Sequence, residues 1–159
     1  MAVLTPEARE SYLYLRNLAA TRGATERGRT FAQAYQNDLG LEPQFVAAGG
    51  LLLAGPDPTG NGGVIPGFGD LRELELLVEA GFSPLEAIRI GTLNGATFEG
   101  LQGRIGSIAA GKDADLVVIR GNQATDIHDV EKVETVFKDG VGYDSAKLLD
   151  SVKGRYGEY

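Results

Sequence analysis

Leu51-Leu52-Leu53-Ala54-Gly55-Pro56-Asp57-Pro58-Thr59-Gly60 is an apolar run that stops at glycine and hands a single carboxylate, Asp57, to a glycine-rich loop. Four apolar residues are too few for a helix, and their unbroken apolar character suits a strand buried on both faces. A buried strand, then a loop, then a helix is how an α/β fold carries an acidic residue to the rim where ligands bind. Taken alone, Asp57 fits three roles. It can be a general base, a metal ligand, or a turn residue whose carboxylate satisfies local N–H groups after Pro56. Residues 55–69 show no periodicity, and Gly60-Asn61-Gly62-Gly63 with Gly67-Phe68-Gly69 predicts a mobile or ligand-shaped loop.

Downstream, Asp70 is placed to cap a helix, with Glu73 completing a capping box. Leu71, Leu74, Leu77 and Val78 form its core stripe, Arg72, Glu75 and Glu79 face away, and Gly81 closes it. Ser83-Pro84-Leu85-Glu86 is a second start signal, with an N-cap, proline at the first helical position and glutamate at N3. That helix runs on Leu85, Ile88 and Leu93 and breaks at Asn94-Gly95, where Asn94 can cap one more turn through Phe98.

Upstream, Thr5-Pro6 opens a first helix that ends at Gly23, and the arginine-rich connector 22–29 reads as a solvated loop. A second helix carries Phe31, Tyr35 and Leu39 and ends at Gly40. Pro43 restarts a short helix that Gly49-Gly50 stops.

After Gly100 the character turns to β. Residues 104–108, 114–119 and 133–137 are short β-type runs, Gly111 marks a turn, and Asp139-Gly140 predicts a two-residue hairpin. The polar tail from Asp144 is expected to be partly helical. The predicted domains are 1–100, 101–143 and a tail 144–159. One buried strand cannot form a sheet, because its unpaired backbone groups are costly. The chain is therefore expected either to lack an N-terminal portion or to be completed by another chain, as in a homo-oligomer.

The 159 residues suffice for one core. The 23 glycines are about twice the usual share of roughly 7% and signal tight turns or backbone close to a ligand. Fifteen basic against 22 acidic residues give a net charge of −7, which argues against nucleic acid and anionic membrane as partners. No cysteine is present, which removes disulfides and thiolate metal sites. No secretory signal or membrane span is read in the sequence, so a cytoplasmic location is expected. The single histidine, His128, limits any metal or acid–base proposal, and it reads as an exposed loop residue.

The order from Ala47 to Asp57, the helix 72–81, Ser83-Pro84-Leu85-Glu86-Ala87 and Thr92-Leu93-Asn94-Gly95-Ala96 resembles the amidohydrolase superfamily in its imidazolonepropionase-like branch. The resemblance extends through Arg104-Ile105-Gly106-Ser107-Ile108, Gly111-Lys112-Asp113-Ala114-Asp115-Leu116-Val117-Val118 and Val136-Phe137-Lys138-Asp139-Gly140. It implies an α/β fold, namely the last strand and helices of a (β/α)8 barrel followed by part of a small β-sandwich. It also implies a hydrolase of C–N bonds in small-molecule amides or dipeptides, with one or two divalent metals, often zinc, that activate water and polarise the carbonyl. Asp57 matches the strand-eight aspartate, which is both metal ligand and catalytic proton shuttle. Thr59 and Asn61 fall in the loop expected to touch substrate.

This sequence departs from the family pattern in several places. The His-x-His of the first strand, the bridging lysine or glutamate and two later histidines have no counterpart here. Pro56 also stands where the family usually has threonine. Asp113 and Asp115 read as turn and packing residues. One carboxylate cannot hold a catalytic zinc, which needs three protein ligands, so the chain alone is expected to bind no metal and to be inactive. The competing reading is a non-catalytic module. It would cradle a small anion in the glycine-rich loop 60–69 or associate through an unpaired strand.

Overall fold

A computed structural model describes residues 3–23, 25–58 and 64–155. Helix α1, Pro6–Gly23, begins where expected, with the Thr5 hydroxyl accepting from the Ala8 N–H at 3.2 Å. Helix α2 runs Glu26–Ala47, so the arginine-rich segment is mostly helical rather than a loop. The join is a tight turn in which Thr25 donates from both its N–H and its hydroxyl to the Arg22 carbonyl. The predicted stop at Gly40 and restart at Pro43 do not occur, and α2 continues through both. The Gln44 side-chain amide donates to the Gly40 carbonyl at 2.8 Å, bridging the turn that Pro43 interrupts. The helix ends as expected at Gly49-Gly50, whose N–H groups return to the Val46 and Phe45 carbonyls.

Residues 51–54 are extended but have no ladder partner among the described residues. Alternate side chains diverge. Leu52 and Ala54 pack on the core, while Leu51 is 44% and Leu53 36% exposed. The predicted burial on both faces is therefore replaced by burial on one.

Helix α3 spans Phe68–Glu79. It starts earlier than expected, so Asp70 sits one turn in, where its carboxylate accepts the Gly67 N–H at 3.0 Å. Leu77 is buried, with Leu74 and Val78 beside it, as the stripe predicts. Glu75, expected to face solvent, is only 6% exposed. Gly81 closes α3 at φ +112°, a conformation that costs other residues roughly 1–2 kcal/mol.

Helix α4, Pro84–Arg89, carries the predicted capping box. Ser83 N–H donates to Glu86 Oε2 at 2.8 Å, and Glu86 N–H donates to Ser83 Oγ at 3.3 Å. Its buried side is Ala87 and Ile90, not Leu85, which is 63% exposed. Ala87 is fully buried and packs with Leu77 of α3. Asn94-Gly95 does not break the helix either. A π-helical turn, Ile90–Asn94, leads straight into α5, Gly95–Phe98. Leu77, Phe82, Ala87 and Ile90 form the core, flanked by Val46, Leu52, Ala54, Leu74, Val78 and Ala80.

Three strands follow: β1 Leu116–Ile119, β2 Val133–Lys138 and β3 Val141–Asp144. They form an antiparallel sheet in the order β1-β2-β3, with Leu116 opposite Phe137 and Val136 opposite Tyr143. A 3-10 turn, Ile127–Glu131, joins β1 to β2 and rests on α3. Asp139 (φ +51°) and Gly140 (φ +80°) make the predicted hairpin turn. Residues 104–108, expected as a strand, form turns instead. Their backbone is claimed by Lys112, whose Nζ donates to the Gln102 and Ile105 carbonyls and to Ser107 Oγ. Asp113 pairs with Arg104 at 2.8 Å, and Asp115 accepts from the Asp139 N–H and Lys138, as turn residues do. Helix α6, Ser145–Ser151, is capped by Asp144 and gives the tail its expected helical part. No helix among the described residues is long and apolar enough to cross a membrane.

Candidate functional site

Asp57 lies three residues beyond the extended segment 51–54 and is exposed. Several contacts hold that segment. Leu52 and Ala54 enter the core. The Asn94 side-chain amide donates to the Leu52 carbonyl at 2.9 Å. Gly91 in the π-turn faces Leu74 and Ala54 so closely that a Cβ there would lie 2.6 Å from Leu74 Cδ2. Upstream, a Cβ on Gly50 would lie 2.4 Å from the Phe45 ring. Downstream, Pro56 and Val64 both abut Gly69 in the first turn of α3. The backbone on either side of Asp57 is therefore packed against three helical elements. Thr59 and Asn61 lie outside the described residues.

Two acids on neighbouring helices come close to each other. Burial and the nearby Glu73 charge raise the pKa of the Glu42 carboxyl on α2. Burial, then Asp70, raises that of Glu73 on α3. Glu73, expected to complete a capping box, does not do so, since that role falls to Asp70 accepting from the Gly67 N–H. The approach of Glu42 to Glu73 is tertiary, since only the folding of α2 against α3 brings them together.

His128 is 67% exposed in its side chain, yet Nδ1 lies 3.1 Å from Oε1 of the buried Glu75. The other Glu75 oxygen accepts from Arg72 at 2.7 Å, and Arg72 also reaches Glu79 at 2.6 Å. Burial pushes the Glu75 carboxyl up, but hydrogen bonds and charge from Arg72 and His128 outweigh it, and the net shift is downward. The Glu75 hydrogen bond and charge raise the His128 pKa. The expectation of an exposed histidine holds, but its ion pair with α3 was not visible in the sequence.

Among the described residues, no three His, Asp or Glu side chains converge where a metal could sit. A catalytic zinc site is normally built from three protein ligands. The residues described here supply at most one ligand, Asp57, and do not complete such a centre by themselves. Asp57 offers one carboxylate on a well-held backbone, able to act as a single ligand or as a proton acceptor.

The model of the amidohydrolase family matches residues 55–142. A curated relative, 5'-deoxyadenosine deaminase of Methanobrevibacter smithii, is 41% identical over 59 residues, covering 37% of this chain and 14% of its own length. A candidate prolidase from Bifidobacterium longum superposes with a TM-score of 0.57 at 32% identity, covering 69% of this chain and 28% of that one. An amidohydrolase from Thermotoga maritima superposes with a TM-score of 0.54 at 30% identity, covering 67% and 26%. The chain thus spans less than a third of the length of each of these relatives.

Proposed function

This chain belongs to the amidohydrolase family, and we propose that it supplies the closing part of a metal-dependent hydrolase of C–N bonds. In this reading residues 51–54 are the last strand of a (β/α)8 barrel, α3 to α5 are its closing helices, and the β1-β2-β3 sheet is part of the appended sandwich. The carrying observation is the setting of Asp57. The family match opens at Gly55, two residues before it, on an extended segment fixed to the core along one side. Asp57 would ligate a divalent metal, with zinc as the first choice, and take the proton of the attacking water. Such a metal, held by Asp57 together with other ligands, would supply an activated water and a polarised scissile carbonyl. Its remaining ligands would come from outside the residues described here. The deaminase and prolidase names among the relatives both denote C–N cleavage, which favours a small amide, amine or dipeptide as substrate.

The exposed Leu51 and Leu53, with a backbone that has no ladder partner among the described residues, support the companion part of the reading. That edge pairs with strands of the complete barrel, or with a second copy when the chain is alone. The experiment is a graft. Residues 51–142 replace their structural equivalent in the Thermotoga maritima amidohydrolase, and the hybrid is assayed for bound zinc and for hydrolysis of the parent's own substrate. Retained metal and turnover support the reading. A folded hybrid that binds no metal rejects it.

A further inference from the structure

We propose that Asn94 is a positioning residue for Asp57: its carboxamide holds the carbonyl of Leu52 and so fixes the extended segment that ends at the carboxylate. The inference rests on Asp57 being the reacting group of the proposed hydrolase. Asn94 Nδ2 donates to Leu52 O at 2.9 Å across 42 residues of sequence, and both residues are half-buried. Asparagine is a poor residue for a helix interior, because its amide competes for backbone groups. Here it stands where the π-turn meets α5, and its amide bonds to another segment's backbone rather than its own.

The π-turn explains how this is possible. It widens the helix by one residue per turn, which swings Asn94 toward the extended segment, and such turns recur at functional sites. Gly91, in the same turn, has no Cβ, so the helix seats directly against Leu74 and Ala54. The extended segment has no ladder partner among the described residues, and the Asn94 amide holds one of its carbonyls. Leu52 to Asp57 is five residues, and Ala54 and Pro56 in between are both packed. A shift at Leu52 is therefore passed to Asp57 with little slack.

The test uses Asn94→Asp, which keeps the shape but turns the donor into an acceptor facing a carbonyl. In the full 159-residue chain, NMR at pH 7 should show the Leu52 carbonyl and Asp57 amide resonances displaced while those of α3 stay in place. Protonating the new carboxyl near pH 4 restores a donor, and the displaced resonances should return toward wild type. In the graft, the same change should lower kcat by about 10²-fold at neutral pH with KM little changed. Wild-type resonances at pH 7 would overturn the proposal, as would an unchanged kcat in a graft that Asp57→Asn inactivates. A graft indifferent to Asp57→Asn would reject the functional reading instead, while the resonances still report on the Asn94 contact. If Asn94→Asp fails to fold, Asn94→Ala is read by the same resonances, with displacement expected and identity to wild type decisive against.

Discussion

His128 Nδ1 lies 3.1 Å from Oε1 of Glu75, and this pair fastens the 3-10 turn before β2 to the middle of α3. It ties the β part of the chain to the helices that frame Asp57. Asp126 and Glu131 also face the imidazole with negative charge, and Arg72 holds the far oxygen of Glu75. The folded state therefore binds the His128 proton more tightly than the unfolded chain. The resulting stabilisation is complete below about pH 6.5 and is lost as pH rises through the raised folded value. Urea midpoints of the wild type should fall between pH 6 and pH 8 by more than those of His128→Gln. Parallel profiles would show that the pair contributes nothing.

Glu75→Gln removes the charge and hydrogen-bond acceptor that raise the histidine. As His128 is the only histidine, one imidazole resonance follows its titration without overlap. Its midpoint should drop toward about 6.5 in the variant. A midpoint equal to wild type would assign the shift to Asp126 and Glu131 instead.

Gly106 has φ +83°, and a Cβ there would lie 2.6 Å from Ala96 Cβ and 3.0 Å from Leu93 Cα. Gly106→Ala combines a left-handed backbone with overpacking against α5, each costing roughly 1–3 kcal/mol. Chemical denaturation should show the two costs together, a loss of roughly 2–5 kcal/mol, and a loss below about 0.5 kcal/mol would contradict the packing described.

Which leucines of α3 and α4 face inward can be checked by a pair of truncations. Leu77→Ala in the core should cost about 2–5 kcal/mol. Leu85→Ala, at an exposed position, should stay within about 0.5 kcal/mol of wild type. Equal losses would place Leu85 in the core, where simple periodicity puts it.

Features set within a few residues were legible in the sequence. The Ser83-Pro84-Leu85-Glu86 cap, the Asp139-Gly140 hairpin and the stops at Gly23, Gly49 and Gly81 all lie where their local chemistry puts them. Features decided by distant partners were not. Gly40 and Pro43 are helix breakers by propensity, yet α2 passes through both. Glu75 lies on the polar side by spacing, but Arg72 and His128 make its burial tolerable. Residues 104–108 have β composition, but the Ile105 carbonyl accepts from Lys112 and the Arg104 carbonyl from the Asp113 N–H. At the candidate site, Asp57 and its extended approach could be read from the apolar run and the glycine after it. The contacts that hold it, Asn94 on Leu52 and Gly91 on Leu74, depend on a π-turn that no local signal announces.

The central claim is that Asp57 is a reacting carboxylate, and its most direct measurement is kcat of the residue 51–142 graft with and without Asp57→Asn. The change keeps size and removes both the charge and the proton acceptor. The account predicts a fall in kcat of about 10²–10⁴-fold, with loss of bound zinc. A variant graft that folds, keeps its metal and turns over at the parent graft's rate would contradict it.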